Sequence, residues 1–484
     1  MTNQTEAVGK SPQKSAPFPA KYWRLAVCFL VPVAILMIPV PQGLTLPAWQ
    51  LFAVYVGAIL GFILRPLPEA ALLLCVISIS GLAFNNTKVV LSGFASTTAW
   101  LVFSAFMIGT AFIKTGLGRR IAYWLLGKVG GTTRALGYVA ALSDLALSPA
   151  TPSNTARTGG IIYPIIRSIA ESLGSTPGET GRKVGSYLTV LCYSLSLTTG
   201  YVFLTAIAPN FLMVNFGQNI LKVDITWALW FKAAAVPGLL CLFVIPLIVY
   251  WVYPPELKTF DNKAIAEKGM VDLGPVTRGE KLLALFFVLA IIAWATGSWT
   301  KINSTSVAIG LVSACLLFGV VKWDDLLDNR GAWSTFVWYA AIIGIADGLA
   351  KAKFFVWLAK VLGDALPIAG HSVLLVMIAL LVFNIVLHYA FASLAVFCAA
   401  MLPVIFTLAL VAGAPIYPTF FLMAFATDYG ASVTHYGGAL GPVLFGTGYV
   451  DQKTWWKVGA ITTGTSMVIH VVVGLPYWKL IGLW

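Results

Sequence analysis

The sequence predicts an all-α polytopic membrane protein, and three observations carry that expectation. Hydrophobic residues fill 59% of the 484 positions and charged ones only 10%, where soluble domains carry about 25% charged residues. Mean hydropathy is +0.87. Apolar stretches of about 20 residues recur along the whole chain, each long enough to cross the ~30 Å hydrocarbon core as a helix. The ~10-residue alternation of a porin-type barrel is not found. Helices remain as the spanning element, because lipid offers no partner to a backbone amide or carbonyl.

The net charge of +13 does not point to nucleic acid. Lys and Arg sit in short loops between apolar spans, with no basic stripe interleaved with aromatics. Positive-inside topology accounts for them better. The six cysteines (Cys28, Cys75, Cys192, Cys241, Cys315, Cys398) lie in or beside apolar segments without CxxC spacing, so packing is expected, rather than a zinc site or a disulfide framework. Residues 1–21 are polar, lack the basic-then-apolar order of a cleavable signal peptide, and read as a disordered cytoplasmic tail.

Crossings are expected near residues 24–40, 47–64, 68–84, 98–114, 185–213, 226–252, 281–298, 304–321, 333–350, 417–440 and 457–480, about eleven in all. Two further segments, about 135–171 and 372–411, carry helix breakers at their centres and are expected to enter and leave on one side as re-entrant hairpins. With the N-terminus inside, as Lys10, Lys14, Lys21 and Arg24 suggest, the loops of Lys114, Arg119, Arg120, Lys128 and Arg134 and of Lys258, Lys263, Lys268, Arg278 and Lys281 both fall inside. Lys351, Lys353 and Lys360 are the exception, and an odd count puts the C-terminus outside.

The halves repeat. AFMIGTAFIKTGLGRRIAYWLLGKVG from Ala105 resembles AAIIGIADGLAKAKFFVWLAKVLG from Ala340. SNTARTGGIIYP from Ser153 is followed by its counterpart SLAVFCAAMLP from Ser393. The offsets are 235 and 240 residues. Five crossings separate Ser153 from Ser393, so the copies are inverted, the usual plan of a secondary transporter with cargo bound where the halves meet. The expected organisation is a first repeat over 22–253, a polar linker over 254–280 and a second repeat over 281–484.

Pro149 and Pro152 interrupt the first hairpin. Beyond Pro152 a new helix offers its N-terminal amides, the hydroxyls of Ser153 and Thr155 and the amide of Asn154 to an anion, with a carboxylate as natural guest. Packing between helices is the plainer alternative for these polar residues. Arg157, one turn on, is expected either to pair with a substrate carboxylate or to stand as a fixed charge where another transporter places a cation, and structural pairing with Asp144 is the plainer reading. Phe397 holds the matching place in the second hairpin. The following spans are broken too, at Thr205 to Asn210, which includes Pro209, and at Thr434 to Pro442, where unwound backbone is expected to meet ions or substrate. His388 and His435 stand nearest these breaks as groups able to titrate or donate to a carboxylate, or simply to be buried. Asp347 and Asp428 are expected in satisfied structural pairs.

TPSNTARTGGIIYPI from Thr151, HYAFASLAVFCAAMLPV from His388 and THYGGALGPVLFGTGYV from Thr434 resemble the divalent anion:sodium symporter family. The resemblance runs from the first span to the last. It is nearest to the exchanger branch, which includes bacterial citrate/succinate and tartrate/succinate antiporters and the plastid 2-oxoglutarate/malate translocator. It implies a homodimer in a bacterial inner membrane, with a scaffold domain and a transport domain that moves as an elevator. It also implies that Ser153, Asn154, Thr155 and, at the second tip, Ser393 hold the substrate carboxylates. There Leu394 and Ala395 replace the family's Asn and Thr, which speaks against a second sodium site of the symporter kind. Where exchangers often carry histidine, this chain has Phe397. Arg157 matches the exchanger branch and would take over the neutralising role of sodium. The expected function is exchange of succinate-, malate-, 2-oxoglutarate-, citrate- or tartrate-type anions, without cofactor and with sodium not favoured. The alternative is sodium- or proton-coupled symport. A membrane enzyme or receptor comes third, since no HExxH, GxSxG or paired catalytic carboxylates appear.

Overall fold

The computed structural model describes residues 18–129, 131–365 and 372–484, with the side chains of residues 18–21 and of Ser298 outside that description. Most of the expected disordered tail, Lys10 and Lys14 included, lies outside the described residues, as does Gly130. Its last part does not fit the expectation, because Phe18–Met37 is already a helix. Among the described residues the chain is helical throughout, with no strand and one isolated bridge between Thr132 and Thr259. Seven of these helices are long and apolar enough to cross a membrane, and shorter apolar helices at Tyr22–Met37, Glu69–Phe84, Ser304–Leu317 and Val373–His388 accompany them.

Local chemistry sets the helix ends. The hydroxyls of Thr45, Thr132 and Thr226 and the carboxylate of Asp451 accept first-turn amides, and Thr277 and Glu280 cap each other's backbone. Arg65 at φ 49° and Gly116 at φ 78° close helices in the left-handed region. Both segments expected to be interrupted are: Thr133–Leu147 and Tyr163–Ser172 flank the first break, and Val373–His388 and Leu394–Val411 flank the second, although the helix breakers expected at the centre of the second are not there. The linker over 254–280 is not only loop, since Asn262–Leu273 forms a helix.

Contacts sort the helices into two groups. The first holds Phe18–Met37, Leu46–Leu64, Glu69–Phe84 and Thr97–Thr115 with Arg278–Thr300, Ser304–Leu317 and Arg330–Lys351. The second holds both hairpins, the broken spans Gly185–Phe216 and Ile416–Phe445, Trp227–Val252 and Gln452–Leu480. In lipid, apolar side chains gain little by leaving one apolar neighbour for another, so close backbone approach and polar bonds hold such helices together. The first group shows this at Gly93 and Gly344. A Cβ on Gly93 would stand 1.9 Å from the Ala340 carbonyl oxygen, and one on Gly344 would stand 2.1 Å from that of Val90.

The second group is built around Gly185–Val202, every residue of which is buried. Several of its hydroxyls turn back onto the helix, as Thr189 donates to Gly185, Ser194 to Val190 and Thr198 to Ser194, while Ser186 and Tyr193 reach out to the carbonyls of Tyr449 and Ala431. Among the described residues, four side-chain hydrogen bonds cross between the groups. Tyr55 donates to the Ala399 carbonyl, Arg65 to that of Ala392 at 3.2 Å, and Asn215 and Asn219 both donate to Asp347 at 3.0 and 2.8 Å. Asp347 is thereby satisfied, as expected.

The two basic loops lie against each other on one face. Arg120 pairs with Glu280 at 2.6 Å, and Asn262 donates to the carbonyls of Leu126 and Val129 at 2.8 and 2.9 Å. A shared face is what the charge distribution predicts for loops on the same side of the membrane.

Gly344→Ala should lower stability by about 1–3 kcal/mol through overpacking. Gly310→Ala, where no heavy atom stands within 4 Å of the added carbon, should stay within about 0.5 kcal/mol of the parent. Thermal unfolding of the purified protein in detergent checks both, and equal losses at the two positions would refute the close-packed seam.

Candidate functional site

The first hairpin tip is made by its prolines. Thr133–Leu147 runs into one tight turn at Ser148–Ala150, and Thr151 then extends at φ −132°, ψ 99°. Pro149 and Pro152 have no amide to continue the helix. Past Pro152, Ser153 accepts the Ala156 amide at 3.2 Å and caps the next segment. That segment starts as a π-helix over Thr155–Ile162 before settling into α-geometry.

The second tip has no such local cause. Leu387 and His388 carbonyls close turns onto the amides of Ala390 and Phe391, and Ser393 extends at φ −158°, ψ 128° before Leu394–Val411 begins. Arg65, reaching from the first group, holds the Ala392 carbonyl beside it.

Each broken span meets a tip. After Val202 the chain extends, makes one turn at Leu204–Ala206 and restarts at Ala208 with Pro209 in its first turn. The Ala208 amide donates to the Pro152 carbonyl at 3.0 Å, joining this break to the first tip. Asn210 spreads its amide over the Gly200 and Phe203 carbonyls at 2.7 and 3.2 Å, satisfying the helix end that the break exposes. In the second broken span the chain folds back on itself after Ala431. A Cβ on Gly437 would stand 2.4 Å from the Ala431 carbonyl oxygen, so glycine is required there.

These four interruptions close around one cavity of about 190 Å³. The first tip contributes Pro152, Ser153, Asn154 and Thr155; the second contributes Ser393, Leu394 and Ala395. Ile207, Ala208 and Pro209 come from the first break and Gly438 and Ala439 from the second, with Leu197 beside them. The remaining wall belongs to the other helix group, through Glu69, Phe106, Thr335 and Trp338. Hydroxyls, a carboxamide and a helix start from two separate tips thus line one small space, an arrangement able to donate hydrogen bonds to two ends of one anion.

Arg157 requires a correction as a direct ligand, because it does not line this cavity. It is fully buried behind the first tip. One guanidinium nitrogen donates to the carbonyls of Thr151 and Ala206 at 2.9 and 2.8 Å, the other to the Thr199 hydroxyl at 3.1 Å. Its Nε lies 3.2 Å from the Asp144 carboxylate. Asp144 also accepts from Thr158 at 2.6 Å and from Thr199. Five donors in a planar fork let one side chain hold carbonyls from both breaks at once.

Four more expected site residues stand elsewhere. Thr434 is buried behind the second break and Pro442 faces outward on the segment beyond it, because the fold-back of the break presents Gly438 and Ala439 instead. His388 is buried and stacks on Phe397 with ring centroids 4.0 Å apart. His435 accepts from the Trp456 indole at 3.1 Å and stacks on Phe445. Asp428 departs from the satisfied pair expected of it: it is fully buried, and neither carboxylate oxygen has a hydrogen-bond partner among the described residues.

The sequence reading missed Glu69, Phe106, Leu197, Thr335 and Trp338. Glu69 alone left a signal, a carboxylate opening an apolar span.

A family profile described as the sodium:sulfate symporter transmembrane region matches residues 19–484. An uncharacterised transporter of Haemophilus influenzae is 47% identical over 471 residues, covering 96% of this chain and 98% of its own. An L-tartrate/succinate antiporter of Shigella sonnei is 35% identical over 483 residues, covering 95% and 99%. The chloroplastic dicarboxylate transporter 1 of Spinacia oleracea is 35% identical over 463 residues, covering 95% and 81%. The chain therefore belongs to the sodium:sulfate symporter transmembrane family, the divalent anion:sodium symporters that its tip motifs resemble, and is an integral membrane transporter rather than an enzyme.

Proposed function

We propose that the protein exchanges small di- or tricarboxylate anions across a bacterial inner membrane, as a homodimer with a cytoplasmic N-terminus. The observation that carries this reading is the convergence of both tips on one cavity rich in neutral donors. The names of the Shigella antiporter and the spinach dicarboxylate transporter support the substrate class. The walls of the cavity come from two helix groups joined by few polar contacts, which supports an elevator in which the hairpin group travels and the other group is the scaffold.

Arg157 supports exchange in a way that differs from the sequence expectation. Its charge is not left uncompensated when the site is empty, since Asp144 lies beside it. What it does is fill the place between the Thr151 and Ala206 carbonyls, where a travelling cation would otherwise find ligands. Coupling then falls to a second anion. The barrier to an empty return is the cost of moving the donors of Ser153, Asn154, Thr155 and Ser393 past Phe106 and Trp338 without a guest to satisfy them. The symport alternative has one observation of its own, the unpartnered carboxylate of Asp428, which a proton or cation would satisfy.

Proteoliposomes separate the two. Labelled succinate or malate should enter vesicles loaded with unlabelled dicarboxylate at least about tenfold faster than empty ones, a difference of about 1.4 kcal/mol in barrier, with choline in place of sodium changing nothing. Sodium-dependent uptake into empty vesicles would establish symport instead.

Asn154→Ala should abolish counterflow while thermal stability stays within about 0.5 kcal/mol of the parent, because the side chain faces the cavity. Arg157→Gln and Asp144→Asn should each lose about 3–5 kcal/mol, the cost of stranding one partner of a buried pair. Unfolding of the purified variants in detergent measures this, and an Arg157→Gln protein as stable as the parent would remove the staple.

A further inference from the structure

The cavity holds a contradiction for an anion site: among its lining residues Glu69 is the only charged one, and it is acidic. Glu69 opens the helix Glu69–Phe84 directly after Pro68. Four residues earlier, Arg65 sits in the left-handed region at the end of the preceding helix, and its guanidinium is committed to the Ala392 carbonyl, next to Ser393. One short loop of the first helix group therefore fixes the second tip and sets a carboxylate at the cavity wall opposite the hairpins. An ionised carboxylate only accepts hydrogen bonds. The rest of that wall is the Phe106 and Trp338 rings and the Thr335 hydroxyl, which carry no positive charge; the cation that acts on Glu69 is Arg65, which does not line the cavity and is held at the Ala392 carbonyl.

We propose that Glu69 limits the charge of the cargo, admitting dicarboxylates and rejecting a third carboxylate. This rests on the carboxylate-exchange reading and narrows it. Two carboxylates are taken up by the donors of the two tips, and the remainder of the molecule faces the scaffold wall. Carbon, a keto oxygen or a hydroxyl is tolerated there, the last as a donor to Glu69. A third carboxylate meets a like charge in a small space lined on that side by aromatic rings.

The test is counterflow of labelled citrate against labelled succinate by the full-length protein in proteoliposomes. Glu69→Gln keeps the shape and removes the charge, and should raise the citrate-to-succinate ratio at least about tenfold, as expected when a like charge is taken from a desolvated contact. Glu69→Asp should keep the parent ratio. A ratio unchanged in Glu69→Gln overturns the proposal, and so does loss of both substrates together in a correctly inserted variant, since Glu69 would then be required rather than selective. Glu69→Ala serves the same comparison if Glu69→Gln does not reach the membrane. A parent protein that exchanges neither anion would instead refute the carboxylate reading itself, so the two failures are told apart by the parent arm.

Discussion

The guanidinium of Arg157 is the interaction on which the site depends. Two helices are interrupted at membrane depth, and each interruption leaves carbonyls that lipid cannot satisfy. Arg157 donates to one from each, Thr151 and Ala206, and the Ala208 amide adds a direct bond to Pro152. Asp144, Thr158 and Thr199 close the network around the charge. A buried ion pair by itself contributes little net stability, because desolvation offsets attraction. Here its value is geometric: it fixes two pieces of irregular backbone against each other, and so fixes where Ser153, Asn154 and Thr155 point.

That fixing is possible because the surrounding group behaves like a core rather than a lipid-facing bundle. Gly185–Val202 is buried all round, with several of its hydroxyls turned onto its own carbonyls, and the first hairpin, Trp227–Val252 and Ile416–Gly430 wrap it. Phe397 stacked on His388 plays at the second tip a part very different from that of Arg157 at the first: it fills space and brings no charge. The two tips of an inverted repeat thus do unequal work, one held by a polar staple and the other by aromatic packing and by Arg65 from outside the group.

The first break was legible because its cause is local. Pro149 and Pro152 cannot be hidden in a continuous helix, and Ser153 is a natural cap for the helical segment beyond it. The second break contains neither proline nor glycine between His388 and Ser393, so the breakers expected at its centre do not explain it, and its likeness to the first copy is the better sequence signal. Pro209 and the glycines after Thr434 marked the broken spans, but marking a break does not tell which of its residues face inward. Thr434 and Pro442 bracket the second break correctly and both miss the cavity, which Gly438 and Ala439 reach.

Sequence alone determined the helical class, the membrane character, the break at the centre of the first hairpin and the polar character of its tip. These follow from hydropathy, from missing amide donors and from internal repetition, all readable one segment at a time. Tertiary structure alone decided that Arg157 lies outside the cavity lining, that Asp428 has no hydrogen-bond partner among the described residues, and that Glu69 and Trp338 wall the cavity. In a chain so apolar, periodicity no longer separates inward from outward faces, so the partner of a polar side chain is set by which helices meet, and that is a property of the whole fold.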